Sequence, residues 1–157
     1  MMQVVRHAID VHVPLSLAYN QWTQFEEFPH FMEGIIAVQQ SDDTHLRWTA
    51  EVAGRRKTWE AEITEQIPDQ RIAWRSLDGN CPSGLVTFEA LDSETTRIKV
   101  EVEYQPAGFM ETLGDMFEVT ARQVDEDMQR FKAFVEKRLL PTGAWRGVVH
   151  HGVEAQK

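Results

Sequence analysis

The feature of this sequence that most constrains its fold is a change in the spacing of its hydrophobic residues. From Ile35 to Tyr104, apolar residues recur at every second position, the period of β-strands with one buried face. From about Glu111 to Arg138 they recur at three- and four-residue intervals, the period of an amphipathic helix. We therefore expect a run of about six antiparallel strands followed by one long C-terminal helix.

The N-terminal region adds one strand and two short helices. Val4 to Val13 alternates in polarity and predicts a strand that ends before Pro14. Leu15 to Phe28 has helical spacing, with Ser16 as a candidate N-cap, and the aromatic break at 28–34 predicts a short helix and a turn. Together with the later elements, this order predicts an α+β fold.

The sequence also predicts the register of one hairpin. A two-residue turn at Gly54-Arg55, with glycine first, suits a type II′ turn. It places apolar side chains opposite one another on one face, in three pairs: Leu46 with Ile63, Trp48 with Ala61, and Ala50 with Trp59. The alternation likewise puts Ile36 and Val38 on one face of the preceding strand.

A strongly twisted sheet of this size curls, and the long helix is the element able to cover its concave face. Because a straight helix does not fit a curved sheet along its whole length, we expect a cavity between them that suits a flat or greasy small molecule. The candidate ligand-binding residues face inward from the strands and the helix: Trp48, Trp59, Trp74, Ser76, Phe88, Tyr104, Met116, Phe117 and Phe131. The alternative is that these side chains simply fill the core.

Two segments carry a family resemblance. Residues 22–35, read as WTQFEEFPHFMEGI, resemble the Trp…Phe-x-x-Phe-Pro-x-Phe-Met region of the polyketide cyclase/dehydrase branch of the START-like (helix-grip, SRPBCC) superfamily, a branch that also includes coenzyme Q-binding proteins. Trp59–Ile63 followed by Pro68–Trp74 is a second match. The resemblance implies a helix-grip fold, with a curved antiparallel sheet of six to seven strands wrapped around the C-terminal helix. It also implies binding of a lipid, a quinone or a polyketide-like compound.

The aromatic part of the first segment has two interpretations. Trp22 to Met32 could form a lid over the mouth of the cavity, with Gly34 as a hinge. Alternatively, Phe25, Phe28 and Phe31 could form a cluster that fixes the short helices to the end of the sheet.

Length, charge and cysteine content bound the remaining expectations. A chain of 157 residues predicts one domain, at 1–140, followed by a tail at 141–157 that is mobile or lightly docked. The net charge of -9 disfavours binding to nucleic acid. The single cysteine, Cys81, with no apparent secretory signal and no apolar run long enough to span a membrane, favours a cytoplasmic protein without integral membrane contact. We expect a monomer or a homodimer.

The chemistry that the sequence offers is limited to acid–base groups. Motifs for covalent or metal chemistry are not apparent, so we expect neither a metal nor a cofactor. The alternative to ligand binding is a polyketide cyclase or dehydratase that assists ring closure of a bound poly-ketone, with His7 or Tyr104 transferring the proton. Arg71 and Arg75 have the opposite parity to the apolar residues of their strand and are expected in solvent. A third hypothesis is a protein partner that docks either on the acidic helix face, which includes Asp125, Glu126 and Glu136, or on the C-terminal tail.

Overall fold

The computed structural model describes residues 3–52, 54–77, 83–104, 116–138, 140, 142–150 and 153–155. The strands are β1 (Gln3–Val11), β2 (Ile35–Asp42), β3 (His45–Val52), β4 (Arg55–Ile67), β5 (Arg71–Ser76), β6 (Ser83–Asp92), β7 (Thr95–Tyr104), β8 (Val148–His150) and β9 (Val153–Ala155). The helices are α1 (Leu15–Trp22), a 3₁₀ helix (Phe25–His30) and α2 (Met116–Arg138). Among these described elements, no helix is both long enough and apolar enough to cross a membrane.

One antiparallel sheet forms the body of the molecule. Its strands are ordered β1-β7-β6-β5-β4-β3-β2, and β8 pairs with both β4 and β9. The helix α2 contacts segments at both ends of this path, because Lys132 Nζ donates to the backbone oxygen of Asp10 at 2.7 Å and Arg130 Nε donates to that of Phe31 at 3.0 Å. The predicted helix-grip architecture is therefore confirmed, and the segment after α2 adds two short strands to it.

Aromatic side chains fill one end of the space between the sheet and α2. Trp22 lies edge-to-face against Phe28 at 5.5 Å and against Phe131 at 5.0 Å between ring centroids. We call this region the closed end; its rings, each at most 6% exposed, are Tyr19, Trp22, Phe25, Phe28, Phe31, Phe88 and Phe131. Of the two interpretations of the aromatic segment, this packing matches the cluster that fixes the short helices to the sheet.

The predicted register of the β3–β4 hairpin is wrong by two residues. Val52 pairs with Arg55, and Gly54 in the connection between them takes a φ of +77°. Leu46 consequently faces Ala61, and Trp48 faces Trp59. A shift of two residues leaves every side chain on its predicted face, so the apolar pattern could not distinguish the two registers.

Two smaller predictions are also corrected. A bulge between Ile35 and Ala37 turns Ile35 toward the core with Val38 and leaves Ile36 41% exposed, so Ile36 and Val38 do not share a face. The helix α1 begins one residue before Ser16, and its N-cap position is occupied by Pro14, whose carbonyl accepts a hydrogen bond from the amide of Ala18 at 3.1 Å.

Residues 142–150 pack against the domain more closely than their composition indicates. The side-chain amide of Gln21 donates to Thr142 Oγ1 at 2.9 Å, and Gln21 Oε1 accepts from the backbone amide of Thr142 at 2.8 Å. The amide of Trp145 donates to Thr23 Oγ1 at 3.0 Å, and Val149 is fully buried where β8 pairs with β4. The segment therefore fastens α1 and the long strand β4 together.

Candidate functional site

Three indole rings lie side by side on the concave face of the sheet. The rings of Trp48 and Trp59, which face each other across β3 and β4, are nearly parallel, at 5° and 6.2 Å between centroids. The ring of Trp74 on β5 lies 6.4 Å from that of Trp48 at 22°. The structure thus brings together three of the residues that the sequence assigns to the ligand site.

The position of Trp74 depends on the absence of a side chain at Gly84. Gly84 is the register partner of Trp74 on β6, and a Cβ placed there would lie 2.5 Å from Trp74 Cζ2. Nearby, the hydroxyl of Ser83 accepts a hydrogen bond from the amide of Ser76 at 2.9 Å, which ties the end of β5 to the start of β6. Ser76, another predicted site residue, is half-buried here.

Phe88 and Phe131 lie in the closed end. Phe88 packs edge-to-face against Tyr19 at 5.3 Å, and Phe131 packs against Phe31 at 5.0 Å. Both also contact Trp22. Their rings are therefore surrounded by other rings of the protein, unlike that of Trp74, which is only half-buried.

Four side chains that face inward yet keep partial exposure lie away from the closed end. We call this region the open end; it comprises His7 on β1, Trp74 on β5, Val102 on β7 and Val124 on α2. The register connects them, since Val102 faces Val5 on one side and Gly84 on the other, and Gly84 faces Trp74. With neighbouring strands about 4.8 Å apart, the row from β1 to β5 is roughly 14 Å wide.

His7 is the titratable side chain of the open end, and its neighbour on α2 is Asp125. Its Nε2 lies 3.5 Å from Asp125 Oδ1, and its side chain is 20% exposed, against 52% for Asp125. The Nε2 atom is buried and has no partner within hydrogen-bonding geometry. The sequence predicts the inward position of His7 from its parity. It gave no indication of Asp125 as its neighbour, because the contact joins the first strand to the last helix.

Several predicted site residues lie beyond what the structure describes. The backbone of Tyr104 pairs with Gln3 at the end of β7, and Met116 and Phe117 open α2, but the side chains of all three are outside the described residues. Cys81 also lies outside them.

The two arginines of β5 lie on the outer face of the sheet, as predicted. Arg71 donates to both carboxylate oxygens of Glu65, and this hydrogen bonding raises the pKa of its guanidinium. Arg75 pairs with Glu62 at 3.0 Å. Both arginine side chains are substantially exposed, at 42% and 62%, so neither supplies a cation to the concave face.

A shallow groove of about 340 Å³ lies near His7 but belongs mainly to the outer face of the sheet. Its outward-pointing residues come from β1, β6 and β7: Arg6, Ala8, Leu85, Thr87, Lys99 and Glu101. Arg6 Nε donates to Glu101 Oε1 across it at 3.1 Å. The sheet separates this groove from the indoles.

Comparisons with known proteins agree with this architecture. The family described as polyketide cyclase / dehydrase and lipid transport matches residues 11–133. An uncharacterized 17.2 kDa protein from the melC2-rnhH intergenic region of Streptomyces lincolnensis is 44% identical over 149 residues, which are 94% of this chain and 99% of that protein.

Solved structures show the same fold. DR_A0006 from Deinococcus radiodurans is 32% identical, with a TM-score of 0.68 over 86% of this chain and 98% of its own. The Zhui aromatase/cyclase of a Streptomyces species is 18% identical, with a TM-score of 0.73 over 92% of this chain and 100% of its own. The chain therefore belongs to the polyketide cyclase/dehydrase and lipid transport family, within the START-like helix-grip fold.

Proposed function

We propose that this protein binds a hydrophobic, flat small molecule, such as a lipid-like quinone or a polyketide-like compound, on the concave face at the open end. The observation that carries the proposal is the parallel set of indoles formed by Trp48, Trp59 and Trp74, with Trp74 half-buried at its margin. Aromatic rings attract flat apolar molecules through their area and their stacking geometry. Membership of a family whose description joins polyketide chemistry with lipid transport supports the same class of ligand.

The expected affinity follows from the apolar area that a ligand would bury. At about 25 cal/mol per Å², burial of roughly 400 Å² of apolar surface gives about 10 kcal/mol. Association itself costs several kcal/mol in lost freedom of motion. We therefore expect dissociation constants in the micromolar range, which suits a carrier that must also release its ligand.

Titration of tryptophan fluorescence with a naphthoquinone tests this function, with native mass spectrometry to count the bound molecules. Trp74→Leu should weaken binding by about fivefold, because a stacked aromatic pair contributes about 1 kcal/mol beyond its area. Trp145→Leu is the matched control, since Trp145 lies in the segment that packs against Thr23, away from the indole set. Failure of quinones, fatty acids and polycyclic aromatics alike to bind the wild type would contradict the proposal.

A second candidate function is a cyclase or dehydratase acting on a bound poly-ketone. The observation that favours it is His7, an imidazole facing inward at the border of an apolar wall, with a carboxylate 3.5 Å from its Nε2. Such a group can accept and return a proton during ring closure. His7→Gln should then abolish conversion of a test poly-ketone while reducing naphthoquinone affinity far less, and equal conversion by both proteins would contradict an acid–base role for His7.

A further inference from the structure

The helix α2 is held strongly on the side that faces the 3₁₀ helix. Arg130 Nε donates to the carbonyl of Phe31 at 3.0 Å, and the carboxylate of Asp127 accepts from the amide of Glu33 at 3.2 Å. Gln123 Nε2 donates to the carbonyl of Glu33 at 3.3 Å and to Asp127 at 2.8 Å. These contacts extend over two turns, so the middle of α2 is fixed to this side.

On the β1 side, the short polar contacts among the described residues lie at the C-terminal end of α2. Glu136 Oε2 accepts from the backbone amide of His12 at 2.7 Å, and Lys132 Nζ donates to the carbonyl of Asp10 at 2.7 Å. Lys132 and Glu136 also pair with each other at 2.7 Å. The helix and β1 are therefore joined firmly where the closed end begins.

Further toward the open end, the described polar contact between β1 and α2 is longer. Among the residues that the structure describes, the polar contact between β1 and the part of α2 before residue 128 is that of His7 Nε2 with Asp125 Oδ1, at 3.5 Å. This distance exceeds the usual 2.7–3.2 Å of a hydrogen bond. Val124 beside it on α2 is only half-buried, as is Val102 on β7, the strand next to β1. We call the boundary between β1 and the first half of α2 the seam; apolar side chains that are incompletely covered border it.

We propose that the small molecule enters and leaves through the seam between β1 and the first half of α2, and that His7 and Asp125 form a pH-sensitive latch across it. The latch rests on the proposed ligand-binding function. Behind the seam, the row of Val102 and Gly84 leads directly to Trp74. A flat molecule that passes between β1 and α2 would thus contact an apolar part of the inner face of the sheet, which extends to the indoles.

The other charged groups around His7 lie on the outer face of the sheet or in solvent, so Asp125 is its counter-charge. On β7 its register partner is Val100, flanked by Lys99 and Glu101, which line the groove on the outer face. Arg6, next to it on β1, pairs with that same Glu101. On α2, Arg122 lies one turn before Asp125 and is exposed.

Histidine is the side chain whose charge ordinarily changes in the physiological pH range, and a protonated imidazole beside a carboxylate forms an ion pair. Ion pairs of this exposure change an equilibrium by about two- to fivefold. A change of this size closes the seam more firmly in acid without blocking it. The ligand should therefore leave more slowly at pH 6 than at pH 8.

Stopped-flow dissociation of the naphthoquinone probe at pH 6 and pH 8 tests the latch. The wild type should release the probe about two- to fivefold more slowly at pH 6, and His7→Gln and Asp125→Asn should each remove this difference. Glu126→Gln is the matched control, because Glu126 is the adjacent exposed carboxylate on the same helix and should keep the wild-type response. An Asp125→Asn protein that retains the full pH response would overturn the latch.

Hydrogen exchange of the ligand-free protein separates the latch from the binding function. At pH 6, with intrinsic exchange rates corrected, amides at 122–128 should exchange about two- to fivefold faster in Asp125→Asn than in Glu126→Gln. Equal exchange in the two variants would refute the latch whether or not any probe binds. Faster exchange in Asp125→Asn, together with no binding of any probe by any variant, would support the latch contact and contradict the proposed function instead.

Discussion

At the residue scale, the phenol of Tyr19 shows how the closed end treats polar groups. Burial raises its pKa to about 12, although the nearby Gln66 amide and the Arg146 guanidinium act to lower it. The hydroxyl is buried without a partner in full hydrogen-bonding geometry, and the Arg146 guanidinium lies 5.6 Å from the ring centroid. The closed end therefore tolerates a phenol but strongly disfavours a phenolate.

This burial predicts a specific alkaline response. Because the pKa of Tyr19 is higher in the folded state than the ordinary 10, the folded state retains the proton longer, and the free energy of unfolding should fall as the pH rises from 10 toward 12. The chain has two tyrosines, so absorbance titration should show a component near pH 12 that Tyr19→Phe removes. Titration of both tyrosines near pH 10 in the folded wild type would refute this environment.

Individual site residues could be predicted where the strand period alone decides their position. His7, Trp48, Trp59 and Trp74 follow from their parity with apolar neighbours, and the structure places all four facing inward. Asp125 could not be predicted as a partner of His7, because its position on the polar face of a helix looks the same whether it meets solvent or a strand edge. Contacts between distant segments depend on how α2 lies across the sheet, and no local pattern encodes that placement.

At the scale of elements, the segment after α2 acts as a clasp. Its strand β8 pairs with the end of β4, where Gln66 faces Val149, and Arg146 Nη2 donates to Asp69 Oδ2 at 2.7 Å in the turn that follows β4. The sequence did not indicate this docking, because a three-residue strand is too short to show a period. The register of β3 and β4 could likewise not be predicted from the apolar alternation, because only the turn geometry decides between registers two residues apart.

The clasp should contribute measurably to stability. Val149→Ala removes two buried carbon atoms and should lower the free energy of unfolding by about 2 kcal/mol, from the lost transfer term and the space left behind. Val148→Ala, at the neighbouring half-exposed position of the same strand, is the control and should cost less than about 1 kcal/mol. Urea denaturation of the two variants measures the difference, and equal losses would mean that β8 is not packed as described.

At the scale of the whole molecule, the two ends of the space between the sheet and α2 are packed differently. Edge-to-face rings fill the closed end, and short hydrogen bonds fasten α2 there. The open end has the half-buried indole of Trp74, two half-buried valines and one histidine. This difference between the two ends explains how one small domain can be stable and still bind a ligand. The closely packed closed end holds the strands and the helix that form the open end in place.

The fold as a whole could be predicted because it depends on hydrophobic periods that recur along much of the sequence. Seven alternating segments and one long amphipathic helix admit few arrangements, and the segment from Trp22 to Ile35 narrows them to one family. The chemical identity of the ligand cannot be predicted from these periods. A wall of indoles and valines accepts many flat apolar compounds, and a few polar atoms at its edge decide among them.

An NMR titration of the five tryptophan indole N–H signals with the naphthoquinone locates the ligand site directly. The signals of Trp48, Trp59 and Trp74 should shift in a saturable way, while that of Trp22, enclosed by Phe28 and Phe131, should stay in place. Absence of any saturable shift, or shifts confined to Trp22 or to Trp145, would contradict a ligand site at the open end.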